Sequence, residues 1–144
     1  MKLSTKGRYG TRALIDIALH HDEEPIPLKD IARRQQISLP YLEHLIGLLI
    51  EGGIVRSTRG AGGGVSLAKP PREIRLSEVI GLLEGSMALV SCVNDPAVCN
   101  RSQSCATHDI WGRLKKAMDD VLESTTLEEL VEGQKGKQAA MYYI

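Results

Sequence analysis

Phenylalanine is absent from this 144-residue chain and tryptophan occurs once. An aromatic core is thereby excluded, and the interior must be aliphatic. No apolar run approaches the ~20 residues a membrane span needs. Residues 1–10 are polar and no apolar stretch follows them, so no signal peptide is expected and the chain reads as cytoplasmic. Cysteine is scarce and odd in number, at three, which argues against a disulfide framework in a reducing compartment. Net charge is also lacking, with 18 Lys/Arg against 18 Asp/Glu. The balance hides an asymmetry. Residues 1–75 carry 12 basic and 8 acidic side chains, and residues 76–144 carry 6 and 10. A basic half suits a polyanion partner, although two ordinary solvated surfaces would look the same.

What is there begins with the placement of the cysteines. Cys92, Cys99 and Cys105 lie on one stretch that is poor in large apolar residues, and His108 follows closely. Cysteine is usually buried. Gathered on a short polar segment beside a histidine, these residues read as metal or cluster ligands. The pattern C-x6-C-x5-C-x2-H matches no familiar paired zinc finger. Three thiolates and an imidazole suit either a structural zinc or a [2Fe–2S] cluster, and the long spacers lean toward the wider cluster. A metal-free thiol switch is a further reading, with Arg101 able to stabilise a thiolate. Cys–His catalysis is disfavoured because no third, orienting group is identifiable.

The remaining chain is mainly helical. Helical spacing of Tyr9, Ala13, Leu14, Ile17 and Ala18 predicts a first helix from about Ser4 to His20. A short helix, Leu28 to Arg34, follows Pro25 and Pro27. Residues 35–37 form a turn, and Ser38 is the expected N-cap of a third helix with Pro40 in its first turn. Its buried stripe is Leu42, Leu45, Ile46, Leu49 and Ile50, and Gly52-Gly53 ends it. Residues 54–57 and 65–68 are β-prone and flank a glycine-rich connection, which predicts a hairpin. Leu76–Leu83 is a short amphipathic helix. Thr107 can cap a long helix to about Leu122, with Ile110, Trp111, Leu114, Met118, Val121 and Leu122 as a wide apolar stripe. A last piece, Leu127 to Glu132, starts from Thr125-Thr126 with a Glu in capping-box position.

This order is that of a winged helix-turn-helix. The expected division is a DNA-binding domain at 1–84 (helix-turn-helix about 28–51, wing about 54–68), a ligand loop at 85–106, a long helix and short terminal helix at 107–132, and a disordered tail at 133–144. The third helix would enter a major groove with Ser38, Tyr41, Glu43 and His44 foremost. Glu43 can accept from cytosine N4, or can be an ordinary solvated residue. Arg59 at the wing tip is placed for a minor groove. Lys6, Arg8, Tyr9 and Ser57 are candidate phosphate contacts. A nucleotide-phosphate loop is excluded at the glycine run, since no Gly-Lys-Ser/Thr follows Gly64.

Residues 2–9 (KLSTKGRY), 37–43 (ISLPYLE), 59–64 (RGAGGG), the three cysteines and 107–111 (THDIW) together resemble the IscR-type iron–sulfur cluster regulators. These belong to a bacterial winged-helix family that also holds NsrR and RirA. The resemblance runs in register from Met1 to about Val131. It implies no enzymatic activity and a homodimer joined through the long helix, which reads two half-sites of a double-stranded operator. It also implies a [2Fe–2S] cluster on Cys92, Cys99, Cys105 and His108, a cluster-assembly scaffold as donor, and repression of cluster-assembly genes. Two positions depart from the pattern: the first cysteine spacer is one residue longer, and His44 stands in place of a glutamine.

Overall fold

Helix α1 (Thr5–Leu19) starts where the Ser4 hydroxyl accepts the Lys6 backbone N–H at 3.1 Å, satisfying one of the amides a helix start leaves open. Its inward face carries Ala13, Leu14 and Ile17, all fully buried. The computed structural model describes residues 2–23 and 25–141 of the chain. Helix α2 (Leu28–Gln35) is tied to α1 through Asp16, which is 2% exposed. Arg34 donates to the Asp16 carboxylate from Nε at 3.0 Å and from Nη2 at 2.6 Å, and Gln35 Nε2 donates to it at 2.9 Å. Gln36 then takes the left-handed conformation, φ 55° and ψ 48°, which turns the chain toward α3 (Leu39–Glu51) without a glycine.

Leu42, Leu45, Ile46 and Leu49 bury the inner face of α3 as the spacing predicts. Ile50 corrects the expected stripe, being 37% exposed. At 3.6 residues per turn it sits roughly 90° from the centre of the other four, at the rim of the face. The hairpin pairs β1 (Val55–Thr58) antiparallel with β2 (Gly64–Leu67), Val55 opposite Leu67 and Thr58 opposite Gly64. Ile26 adds an unforeseen bridge on the free edge of β2: its N–H donates to the Val65 carbonyl at 2.9 Å and its carbonyl accepts from Val65 at 2.8 Å, so the α1–α2 connection is tied to the wing.

Helix α4 (Leu76–Glu84) packs against α1 and α3 where glycines remove side chains. A Cβ at Gly10 would lie 2.4 Å from Leu83 Cδ1, and one at Gly52 would lie 2.2 Å from Leu82 Cδ1. The cysteine segment, expected as an irregular loop, folds into α5 (Ser91–Asn94) and two 3-10 turns at 96–98 and 102–104. Helix α6 (Ala106–Ser124) begins two residues earlier than expected, with Cys105 and not Thr107 at its N-cap. The last helix, α7 (Leu127–Met141), starts with Thr126 Oγ1 accepting the Glu129 N–H at 3.3 Å.

Helix α7 corrects the expected disordered tail: it runs to Met141 instead of ending at Glu132. Lone glycines at 133 and 136 weaken a helix by only about 1 kcal/mol each. Gln134, Lys135, Lys137, Gln138, Ala139 and Ala140 around them are good helix formers. The rest of that expectation, residues 142–144, lies outside the described residues. Two bonds lace α7 to α4: Leu127 donates to the Ile74 carbonyl and Leu76 to the Thr125 carbonyl, each at 2.8 Å.

A Cβ at Gly64 would fall 2.2 Å from the Ile26 carbonyl oxygen, whereas one at Gly81 meets nothing within 4 Å. Gly64→Ala is therefore expected to cost more than about 1 kcal/mol. Gly81→Ala, in the open on α4, should add about 0.5–1 kcal/mol. Urea denaturation of both variants checks the opposite signs.

Candidate nucleic-acid interface and cysteine segment

The first turn of α3 meets the start of α1 through Tyr41, Thr5 and Tyr9. Ser38, Leu39, Pro40, Glu43 and His44 are exposed at the head of α3. Ser38 makes no side-chain capping bond, so its hydroxyl is not engaged by its own helix. Leu39, 39% exposed, escaped the sequence reading; an apolar side chain here can meet a thymine methyl. Arg59 stands exposed at the tip, with Gly60 and Gly62 at φ +97° and +78° folding the turn back. The Gly63 N–H closes it on the Gly60 carbonyl at 2.9 Å. Ser57 is exposed on β1, while the neighbouring Arg56 is held by Ser66 Oγ at 3.1 Å.

Tyr41 differs from an open recognition residue. It is half-buried, shares a 2.7 Å hydrogen bond with Thr5 Oγ1, and meets the Tyr9 ring edge-on at 6.2 Å and 86°. Its ring thus braces α3 against α1. Arg8 and Arg12 lie over the Tyr9 ring at 5.6 and 5.3 Å, and Arg12 also donates to the Gln35 carbonyl at 2.6 Å. Lys6 and Arg8 remain exposed. Thr5 and Arg12 were missed by the sequence reading because nothing local marks a pair formed across 36 or 23 positions.

The cysteine segment lies on the other side of α4, against α6. All three thiols are free and half-buried. Cys92 Sγ and His108 Nδ1 are 3.4 Å apart. The expected four-ligand set is only half assembled: among the described residues no three His, Cys, Asp or Glu side chains converge as a metal group. Ser102, 7% exposed, donates to the Pro96 and Cys99 carbonyls at 2.9 Å and ties the two 3-10 turns together. The donor chemistry, three sulfurs and one imidazole on one segment, fits a cluster or a zinc ion. A cleft of about 480 Å³ between the wing base and α7 is lined by none of the predicted ligands or DNA contacts.

At the head of α6, the Thr107 hydroxyl, 3.0 Å from Cys105 Sγ, together with the His108 backbone N–H, lowers the Cys105 thiol below its ordinary value. Its alkylation by iodoacetamide should therefore persist to lower pH than that of a free cysteine. Thr107→Val should move the rate–pH profile upward, as read by peptide mass spectrometry of metal-free protein.

A helix-turn-helix with a glycine-tipped wing and a polar, exposed head to its third helix defines the winged-helix class of transcription regulators. Comparison with known proteins agrees. Residues 3–133 match the Rrf2 family, described as an iron-dependent transcriptional regulator, and the chain belongs to that family. It is 46% identical over 131 residues to Protein rrf2 of Nitratidesulfovibrio vulgaris, covering 91% of this chain and 87% of that one. It is 42% identical over 135 residues to the HTH-type transcriptional regulator IscR of Pectobacterium carotovorum, covering 94% and 82%. Among solved structures it is similar to T. potens IscR, with TM-score 0.78, 40% identity and 96% and 91% coverage. It is also similar to CymR (YrzC), the global cysteine regulator of B. subtilis, with TM-score 0.77, 39% identity and 92% and 97% coverage.

Proposed function

We propose that this IscR-like regulator works in the cytoplasm as a homodimer on double-stranded operator DNA, and that a [2Fe–2S] cluster on Cys92, Cys99, Cys105 and His108 modulates its binding. The observation that carries the reading is the position of the donor set. Cys105 and His108 sit at the head of α6, a 19-residue amphipathic helix that buries no residue within one chain. Ile110, Leu114 and Val121 on it are 39%, 37% and 63% exposed. An apolar face of this kind belongs against a partner, and a second α6 is the self-complementary choice. The likeness to IscR proteins supports the cluster over zinc.

The cluster, when bound, supplies a linkage among three thiolates and an imidazole that is sensitive to oxidation, nitric oxide or iron supply. The chain's own residues do the rest. Cys92 and His108 already lie together, so drawing in Cys99 and Cys105 would reorder residues 92–108 against α6 and α4. That shift would alter how two α3 helices and two Arg59 tips meet successive grooves. Ser38, Glu43 and His44 would read bases, Arg59 the minor groove, and Lys6, Arg8 and Ser57 phosphates. The cluster would come from an assembly scaffold, and the genes repressed would be those of cluster assembly.

Protein purified without oxygen should show broad visible absorbance with about two irons and two sulfides per chain. A colourless protein with stoichiometric zinc, or operator affinity identical with and without cluster, would sink the cluster reading. Arg59→Ala should weaken operator binding by about 1–3 kcal/mol in a gel-shift titration. Leu114→Glu combined with Val121→Glu should convert the dimer to monomer in light scattering; an unchanged mass would rule out the α6 interface.

A further inference from the structure

We infer that Glu84, acting through Thr5, is a positioning residue for the DNA-reading helix, and that its carboxylate joins the cysteine segment to the DNA surface. The inference rests on the DNA-binding, cluster-responsive reading above. Glu84 is the last residue of α4; Gly85, at φ +78° and ψ −141°, turns the chain directly into the cysteine segment. The Glu84 carboxylate reaches back to the start of α1. Oε1 accepts the Ser4 N–H at 2.9 Å, the Ser4 hydroxyl, and the Gly7 N–H at 3.0 Å. One residue along, Thr5 Oγ1 bonds Tyr41 Oη, in the first turn of α3, at 2.7 Å. The opening turn of α1 is therefore clamped between the end of α4 and the head of the recognition helix.

Two features separate this clamp from an ordinary helix cap. The Ser4 hydroxyl already caps α1 from within, through the Lys6 N–H, so α1 needs no acceptor from 80 positions away to begin. The fold also makes room for the carboxylate: a Cβ at Gly7 would lie 2.7 Å from Glu84 Oε1. An ionised acceptor taking three donors is stronger than a neutral one, and it is directional. A displacement at the mouth of the cysteine segment is passed to Ser4 and Thr5 and then to Tyr41, whose ring meets Tyr9 edge-on. Leu83 packs against Gly10 of α1 and Leu82 against Gly52 at the end of α3, and the Glu84 carboxylate adds a polar link to the start of α1.

The test uses full-length dimer and a duplex selected from a random library by the wild-type protein. Dissociation constants are measured for cluster-loaded and cluster-free forms of wild type, Glu84→Ala, Glu84→Gln, Thr5→Val and Tyr41→Phe. Glu78→Gln, elsewhere on α4, is the control. Glu84→Ala is expected to shift operator affinity about 3- to 30-fold and to bring the loaded-to-free ratio toward unity, with iron content retained. Glu84→Gln, which keeps an acceptor oxygen, should fall between. Glu84→Ala and Tyr41→Phe should be non-additive although the two side chains do not touch. If the wild-type ratio differs from unity and Glu84→Ala keeps it, or if the two changes add, the inference is wrong. A wild-type ratio of unity instead overturns the cluster-responsive reading, and the double-mutant cycle still decides whether Glu84 positions α3. A Glu84→Ala protein that fails to fold leaves the decision to Glu84→Gln and Thr5→Val.

Discussion

The buried carboxylate of Asp16 is the interaction on which the DNA-reading surface depends. A charge this enclosed is costly unless its oxygens are filled, and Arg34 and Gln35 fill them from one turn of α2. The pairing sets α2 on α1 at one rotation and one height. The tight turn at Gln36 then leaves α3 a single direction, so an ion pair in the first two helices fixes where the third presents Glu43 and His44. The same logic explains why Arg12 also reaches the Gln35 carbonyl: the end of α2 is held from two sides.

Helix α1 is the hub of the remainder. It touches α2, α3, α4, α7 and β2, and its surface is divided by chemistry. Glycines at 7 and 10 admit α4, aliphatic residues at 13, 14 and 17 form the core, and Lys6, Arg8 and Arg12 face outward. Close approach at the glycines brings Glu84 within reach of backbone amides. The amides and the Ser4 hydroxyl lower the Glu84 carboxyl, the Ser4 hydroxyl most, so the contact holds as an ionised acceptor above the usual carboxylate range and fades as pH falls through the lowered value. Helix α6 stands apart from this core. It rests on α4 and α5 with its apolar face open.

Much of this was legible before any coordinates. The stripes of α1 and α3, the hairpin with its glycine tip, and the helix after Leu76 follow from local periodicity and turn chemistry, and all formed. The misses have a common cause. Ile50 lies at the rim of a face whose edge is set by neighbouring helices. Tyr41, on the outward face by helical spacing, is half-buried by a bond to Thr5 that spans 36 positions. The Ile26–Val65 rungs, the Arg34–Asp16 pair and the Glu84 clamp are likewise contacts between segments that no window of sequence joins. Helix α7 runs past Glu132 because isolated glycines at 133 and 136 do not outweigh the helix formers around them.

The sequence by itself determined the element order, the aliphatic core and the winged-helix class, and offered four candidate donor residues, because each is written in short-range pattern or in residue type. Only the tertiary structure decided which donors meet, with Cys92 beside His108 and the other two on separate turns. It also decided that Tyr41 of α3 bonds Thr5 of α1, and that a carboxylate at the end of α4 holds the first turn of α1. Those are matters of distance between remote segments, and distance is fixed by packing: by the glycines that let helices close and by the buried charge that sets their angle.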